Sequence, residues 1–172
     1  MGVIYNPILD EMTTAIRGQG CFVNGQRITH MKQRLASDAT SCTRLQLRDA
    51  LVCVGFPASS TSALEASSRA VSTLSTKVRG IRMIASAAQV MCWVAQRKLS
   101  AYIGWNLNAW DSTAGILIIE ESGGCLRNFD GTQADITSRD MIMTCCDDSA
   151  NHDLNEDIRL LLMERNCLRY DK

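Results

Sequence analysis

The sequence has no excess of charge of either sign. Its 172 residues carry 18 Lys and Arg and 18 Asp and Glu, so the formal net charge is zero at pH 7. No lysine-rich run or basic stripe is present, which argues against nucleic acid or an anionic membrane as a partner. The apolar stretches are far shorter than the ~20 residues that cross a bilayer, and a signal peptide is not recognisable. We therefore expect a cytoplasmic protein that binds neither nucleic acid nor membrane.

Histidine is scarce, and the cysteines form no metal-binding motif. The two histidines, His30 and His152, lie in polar segments far apart, where surface positions are expected. Among eight cysteines no Cys-x-x-Cys occurs, and the adjacent pair Cys145-Cys146 has a poor geometry for sharing zinc. Four others lie in apolar segments, where free Cys behaves as a small hydrophobe: Cys21, Cys53, Cys92 and Cys125. We expect reduced thiols rather than a disulfide framework.

The first thirty residues show the pattern of a β-meander. Val3-Ile4-Tyr5 predicts a strand, Pro7 to Asp10 a turn, and Glu11 to Arg17 the returning strand. Gly18-Gln19-Gly20 predicts a second turn, and Asn24-Gly25 is a strong signal for a two-residue hairpin. A sheet this small needs neighbours to be stable in water.

Strands alternate with helices along the rest of the sequence. After a polar connector the predicted elements are strand 50–56, helix 59–75, strand 78–84, helix 86–96, strand 100–105, helix 111–122, strands 125–129 and 141–145, and an amphipathic helix 153–166. This alternation predicts an α/β layered domain. We therefore divide the chain into a meander with its connector at residues 1–49 and an α/β domain with a terminal helix at residues 50–172.

The segment from Asn108 to Gly124 is the most informative in the chain. It places one carboxylate, Asp111, at the start of an apolar helix, which Gly123 and Gly124 then terminate. The simpler interpretation of Asp111 is a helix N-cap, because Asp is favoured there. The alternative is a metal ligand. The two are compatible, since one carboxylate oxygen can cap the helix while the other binds a cation.

Several motifs in this segment and elsewhere resemble the inositol monophosphatase family. Trp110-Asp111-x-x-Ala114-Gly115, an aliphatic run and Glu121-x-Gly123-Gly124 are similar to its C-terminal signature. Further segments resemble the family in the same order: Gly2 to Pro7, Gly18 to Gly25, Arg82 to Ala88 and Thr137 to Arg139. The likeness covers the C-terminal part of the family. It implies a layered αβαβα sandwich, truncated here at the N-terminus, and Mg²⁺-dependent hydrolysis of small phosphate monoesters such as inositol, polyol or sugar phosphates.

The resemblance also implies roles for individual residues. The family's counterpart of Asp111 coordinates catalytic Mg²⁺, and the triplet matching Ala85, Ser86 and Ala87 contacts the substrate at a helix N-terminus, where N–H groups bind oxygen atoms. Without the resemblance, close packing of helix on sheet explains that triplet equally well. Gly104 stands where family members acting on inositol phosphates often carry Glu, which accepts hydrogen bonds from ring hydroxyls. The preference for inositol therefore stays open.

Two motifs that supply the family's other Mg²⁺ ligands are absent from this sequence. They are a Gly-Glu-Glu-type segment and Asp-Pro-x-Asp-Gly-Thr, both upstream of the matched region. Because one carboxylate cannot hold Mg²⁺ tightly, we expect the chain alone to be inactive. The alternative is a catalytically silent interaction or dimerisation module that docks through the exposed edge of its first sheet, and a homodimer is one form of it. We also expect this sheet to have an uncovered apolar face that favours self-association, with the residues Val3, Tyr5, Ile16 and Phe22.

One more segment imitates a phosphatase motif. Asn128-Phe129-Asp130-Gly131-Thr132 is similar to the Asp-x-Asp-Gly-Thr of haloacid dehalogenase enzymes, whose first Asp is the nucleophile. Asn128 cannot form the acyl-phosphate. An Asp-Gly turn between two strands accounts better for these residues.

Overall fold

The chain begins with a four-stranded antiparallel sheet. The computed structural model describes residues 1–28, 45–145 and 154–170. The strands of the first sheet, in chain order and in spatial order, are β1 (Gly2–Asn6), β2 (Glu11–Ile16), β3 (Gly20–Val23) and β4 (Gln26–Arg27). Asn24 and Gly25 have φ values of 48° and 76°, as a two-residue hairpin turn requires. The predicted meander is confirmed.

In the described residues that follow, the structure has a five-stranded mixed sheet and four α-helices. The strands are β5 (Leu51–Val54), β6 (Gly80–Arg82), β7 (Ala101–Gly104), β8 (Cys125–Asn128) and β9 (Met141–Thr144), in the spatial order β6-β5-β7-β9-β8. The helices are α1 (Thr61–Leu74), α2 (Ala87–Ala95), α3 (Ala109–Ser122) and α4 (Leu154–Glu164), and a 3₁₀ turn covers Leu47–Asp49. Strands β5, β6 and β7 are parallel, whereas β9 is antiparallel to both β7 and β8. The predicted α/β alternation is confirmed.

Several predicted boundaries differ from the observed ones by one or more residues, and two of these differences lie near the ends of elements that lead to the candidate site. The strand expected at 78–84 is only the three residues of β6, an edge strand that pairs with β5 alone. Helix α3 begins at Ala109 and not at Asp111. The predicted end of α3 is right, because Gly123 adopts the left-handed conformation with φ 82°.

The described elements stack in four layers. One apolar cluster joins the first sheet, α2, α3 and one face of the second sheet, and includes Ala15, Met91, Ile118 and Leu126. A second cluster joins the opposite face of that sheet to α1 and α4. The order sheet, helices, sheet, helices confirms the layered α/β sandwich. The first sheet shares its apolar cluster with one face of the second sheet. The division of the chain into two domains at residue 49 stays a prediction.

Two glycines let the first sheet and the middle helices approach closely. A Cβ atom on Gly115 would lie 2.5 Å from Sδ of Met91, where α2 and α3 pack together. A Cβ atom on Gly2 would lie 2.8 Å from the carbonyl oxygen of Ala114, where β1 crosses α3. Both distances are shorter than real contacts allow. Gly115 therefore leaves room for the Met91 side chain between α2 and α3, and Gly2 lets the backbone of β1 contact the backbone of α3.

Side chains from the helices anchor the first sheet. The Glu121 carboxylate accepts hydrogen bonds from the backbone N–H groups of Gly18 (2.7 Å) and Gly20 (2.8 Å), in the turn between β2 and β3. At the other end of the sheet, Glu11 accepts hydrogen bonds from Gln96 Nε2 (2.9 Å) and Lys98 Nζ (3.2 Å). These contacts tie β2 to the C-terminal ends of α2 and α3.

The opposite face of the first sheet is exposed and apolar. Four side chains, 38% to 51% exposed, form what we name the outer apolar face: Val3, Tyr5, Met12 and Ile16. Phe22 pairs with Thr14 on the same face and is half-buried. The expectation of an apolar face on this sheet is confirmed.

The cysteines among the described residues are free and buried, as expected for those at 21, 53, 92 and 125. Burial raises the pKa of Cys21 to about 12 and those of Cys53 and Cys92 to about 11, so these thiols stay protonated. His30, His152 and Cys146 lie outside the described residues. Of the helices at residues 1–28, 45–145 and 154–170, none has the length and apolar character needed to cross a membrane.

Candidate functional site

The candidate site lies at one edge of the second sheet. The parallel strands β5, β6 and β7 end together there, and α2 and α3 start from the loops that follow β6 and β7. Both helices lie on the same face of the sheet and pack against each other. In open α/β sheets, ligands bind outside the carboxyl ends of the strands. The topology of the sheet therefore predicts that a ligand binds at this edge.

Asp111 lies in the first turn of α3. The N-cap is Asn108, so Asp111 is the third residue of the helix, and its interpretation as the N-cap is wrong. The side chain is half-exposed, near the helix end that favours negative charge. Within the described part of the chain, no hydrogen bond engages its carboxylate. The carboxylate is therefore not engaged by another described side chain or backbone group.

The side chain of Asn108 contacts Arg139 instead of capping α3. Its Oδ1 accepts a hydrogen bond from Arg139 Nη2 (3.3 Å), and Arg139 Nε donates to the carbonyl of Leu107 (3.2 Å). Among the residues that the structure describes, no side-chain hydrogen bond caps the start of α3. The first-turn N–H groups of α3 and the Asp111 carboxylate are presented at the same end of the helix.

The triplet Ala85, Ser86 and Ala87 forms the start of α2. Ser86 is the N-cap, and its Oγ accepts a hydrogen bond from the backbone N–H of Gln89 (3.3 Å). Ala85 and Ser86 are exposed and Ala87 is half-buried. Since these side chains are small, a ligand can approach the backbone of the helix start. The structure thus brings the triplet and Asp111 to the N-termini of two packed helices.

Tyr102 is a residue of this region that the sequence did not reveal. It lies in β7 and is 3% exposed, and a Cβ atom on Gly55 would be 3.3 Å from its hydroxyl oxygen. Burial raises its pKa well above the usual range, and Cys53 and the charge of Asp111 raise it further. The hydroxyl is therefore neutral near Asp111. A tyrosine within a buried strand carries no sequence signal for such a role.

Asp130 belongs to a separate, exposed turn. Its Oδ1 accepts hydrogen bonds from the backbone N–H (2.9 Å) and the hydroxyl (2.6 Å) of Thr132, and Gly131 has φ 91°. These bonds lower the pKa of Asp130. The interpretation as an Asp-Gly turn is confirmed. Among the described residues no three His, Cys, Asp or Glu side chains gather as a metal-binding group.

Comparison with known proteins identifies relatives along most of the chain. The model of the inositol monophosphatase family matches residues 1–160. Inositol monophosphatase 1 of Solanum lycopersicum is 34% identical over 147 residues, which are 84% of this chain and 50% of the relative. The fructose-1,6-bisphosphatase/inositol-1-monophosphatase of Thermotoga maritima is 30% identical over 144 residues, again 84% of this chain and 50% of the relative.

The fold comparison agrees with the sequence comparison. The crystal structure of the extragenic suppressor protein suhB from Bartonella henselae superimposes with a TM-score of 0.70 and 29% sequence identity. The alignment covers 97% of this chain and 55% of that protein. This chain spans about half the length of the curated relatives it matches. The family match, the relatives and the fold agree, and the chain belongs to the inositol monophosphatase family.

Proposed function

We propose that this chain carries one half of the active site of a Mg²⁺-dependent phosphomonoesterase. The observation that supports this most strongly is the placement of Asp111 and the triplet Ala85 to Ala87 at the N-termini of two packed helices, on one edge of the sheet. In this proposal Asp111 is a metal ligand and the triplet contacts the substrate. The remaining metal ligands come from outside the 172 residues.

The residues present fit a Mg²⁺ ion in part. Mg²⁺ prefers oxygen ligands and is usually held by one or two carboxylates, water and substrate phosphate oxygens. A half-exposed carboxylate without a hydrogen-bond partner among the described residues meets this requirement for one ligand position. When bound, the ion polarises the phosphate and lowers the pKa of a water molecule.

In this proposal, the other groups of the chain bind and orient the substrate. The N–H groups at the start of α2 are suited to oxygen atoms of the substrate, because a helix N-terminus favours negative charge. Tyr102 stays neutral, so it adds no negative charge beside Asp111. The protein as a whole has no net charge, and the local positive potential comes from helix termini and metal.

The proposed substrate is a small phosphate monoester of a polyol or sugar. With glycine at position 104, the chain offers no carboxylate there to accept hydrogen bonds from ring hydroxyls. Loss of such a partner weakens discrimination against analogues. We therefore propose broad selectivity rather than a strict preference for inositol phosphate. Buried, protonated thiols support the cytoplasm as the location.

The experiment that tests the proposal compares the chain alone with a chimera. In the chimera, the N-terminal half of the tomato relative is fused ahead of Met1. We expect the isolated 172-residue chain to show no Mg²⁺-dependent turnover in the usual enzyme range of about 1–10³ s⁻¹. The chimera should hydrolyse phosphate monoesters in a reaction that EDTA stops.

The matched variants in the chimera are Asp111→Asn and Asp130→Asn. Asp111→Asn should lower kcat at least about a hundredfold, since it removes a proposed metal ligand. Asp130→Asn removes the same charge from an exposed turn and should leave kcat unchanged. An active chimera that tolerates Asp111→Asn, or turnover by the isolated chain that EDTA abolishes, would contradict the proposal.

The second candidate function is an interaction or dimerisation module without catalysis. The outer apolar face favours this candidate, because four large apolar side chains are exposed together on one sheet. A second copy of the chain is the occupant proposed for it. Concentration-dependent dimerisation in a chain whose chimera is inactive would favour this candidate over the enzyme.

A further inference from the structure

The segment that leads to Asp111 is held by residues from outside its own element. Residues 105–108 connect β7 to α3, and Asn106 within them has φ 51°, in the left-handed region. Asn adopts this conformation more readily than other residues with a side chain, but the conformation alone does not fix the path of the segment. The position of Asp111 therefore depends on what holds this short segment.

Asp140 holds the segment from the start of β9. Its Oδ1 accepts a hydrogen bond from the backbone N–H of Asn106 (2.8 Å), and the side chain is 8% exposed. The same Oδ1 accepts a hydrogen bond from the hydroxyl of Tyr170. The backbone N–H of Leu107 donates to the carbonyl of Arg139 (2.8 Å), so two consecutive residues before β9 fix two consecutive residues of the segment.

The C-terminal tail makes a second attachment to the same segment. The indole Nε1 of Trp105 donates to the carbonyl of Cys167 (3.3 Å), and the Trp105 ring packs edge-on against Phe129 at 5.4 Å. Tyr170, whose hydroxyl bonds to Asp140, lies three residues after Cys167, whose carbonyl accepts the bond from Trp105. The family match ends at residue 160, so both attachments come from a tail beyond the part of the chain that the family defines.

We infer that Tyr170, acting through Asp140, is a positioning residue for Asp111. Its hydroxyl orients the Asp140 carboxylate toward Asn106, and Asn106 to Asn108 in turn set where α3 begins. A cavity of about 230 Å³, lined by Ser60, Asn106, Arg139, Asp140 and Tyr170, gives the segment room to move when the hydroxyl is removed. This inference rests on the proposed function, in which Asp111 binds a divalent cation.

The test uses the full 172-residue chain and two readouts. The first is amide hydrogen exchange at residues 106–111. The second is paramagnetic broadening of the amide signals of residues 110–112 during titration with Mn²⁺, which detects weak binding. Tyr170→Phe should speed exchange at Asn106 about fivefold and raise the apparent dissociation constant for Mn²⁺ about three- to tenfold. Asp140→Ala should have the larger effect, and Asp140→Asn, which keeps an acceptor oxygen, the smaller.

Two controls separate positioning from general destabilisation. Arg169→Ala changes the neighbouring exposed side chain of the tail, and Glu121→Gln weakens the anchor of the first sheet far from Asp111. Neither should change the Mn²⁺ titration, even if the melting temperature falls.

Five outcomes decide the matter. Changes in both readouts for Tyr170→Phe, absent from the two controls, support the inference. Unchanged exchange at residues 106–111, or faster exchange with an unchanged Mn²⁺ titration, overturns it while leaving the proposed function intact. Broadening near residue 111 that survives Asp111→Asn overturns the proposed function, and this inference with it. Absence of broadening in the unmodified chain overturns this inference, whereas the proposed function, in which further metal ligands come from outside the chain, is tested by the chimera.

Discussion

The side chain of Leu107 occupies the space that a side chain at Gly104 would need. A Cβ atom on Gly104 would lie 2.5 Å from Cδ1 and 3.0 Å from Cγ of Leu107. Gly104 ends β7 at the edge where α2 and α3 begin, and Leu107 is only 9% exposed. Position 104 carries no carboxylate, and the apolar side chain of Leu107 lies where the Cβ atom of a side chain at that position would be.

This relationship predicts coupled stabilities at the two positions. Gly104→Ala should lower the free energy of unfolding by about 1–3 kcal/mol, because the new methyl group overlaps Leu107. Leu107→Val removes the overlapping Cδ1, so the double variant should be more stable than the sum of the single changes by about 0.5–1 kcal/mol. Urea unfolding of the four proteins measures the cycle. Strict additivity would show that Leu107 does not occupy this space.

The same pair predicts how selectivity changes in an active, extended form. Gly104→Glu should sharpen the preference for inositol phosphate over other sugar phosphates, but only if Leu107 moves away. The double variant Gly104→Glu/Leu107→Val should therefore discriminate better than Gly104→Glu alone. Ratios of kcat/KM for inositol 1-phosphate and a generic sugar phosphate test this. Equal ratios in all three proteins would count against a role for position 104 in selectivity.

The outer apolar face predicts association of the isolated chain. Four exposed side chains on one sheet expose enough apolar surface to favour contact with a second copy. Val3→Lys combined with Met12→Lys should shift sedimentation-velocity profiles toward the monomer, whereas Ile136→Lys, at another exposed apolar position, should not. A chain that is monomeric at all concentrations would contradict the expectation.

Hydrogen exchange extends this prediction to the stability of the first sheet. Its inner face is packed against α3 and its outer face is open, so residues 1–28 should exchange faster than the core at residues 50–145. Equal, slow exchange in both regions of a monomer would show that one covered face and the Glu11 and Glu121 anchors are sufficient.

The Glu11 anchor gives the first sheet a dependence on pH. Hydrogen bonds from Gln96 and Lys98 hold the pKa of Glu11 below its ordinary value of 4.5, despite partial burial. A carboxylate whose pKa is lower in the folded state stabilises the fold above about pH 4.5 and loses that contribution as the pH falls through the lowered value. Stability should therefore decrease on acidification from pH 6 to pH 3.

The variant Glu11→Gln isolates this contribution. The pKa of Glu156 is also lowered, by Arg159, so acidification acts on more than one carboxylate. The difference in unfolding free energy between wild type and Glu11→Gln should be of the order of 1 kcal/mol at pH 6 and should shrink toward pH 3. A difference that does not change with pH would mean that Glu11 is not anchored as an ion.

Local signals in the sequence predicted most of the fold. Asn24-Gly25 fixed a hairpin and Gly123 the end of α3, because their backbone conformations are available to few residues. Apolar surroundings predicted the burial of Cys21 and Cys53 correctly. These features depend on residues that are close together in the sequence, so the local pattern is sufficient to predict them.

The features that the sequence did not predict depend on distant partners. Asn108 replaces Asp111 as N-cap with its side chain engaged by Arg139, 31 residues away. The link from Tyr170 to Asp140 spans 30 residues. The shortness of β6 follows from its place at the sheet edge, where only one neighbour is available for pairing. Each of these features is determined by contacts between residues far apart in the sequence, so it becomes visible only in the folded structure.

The central claim is that Asp111 binds a divalent cation, and anomalous diffraction tests it most directly. Crystals of the chimera soaked in Mn²⁺ should show an anomalous peak at about 2.1 Å from an Asp111 carboxylate oxygen, close to the distance for Mg²⁺. Crystals of Asp111→Asn under the same conditions should lack that peak. Mn²⁺ peaks only at exposed carboxylates such as Asp130, with none at Asp111, would contradict the account.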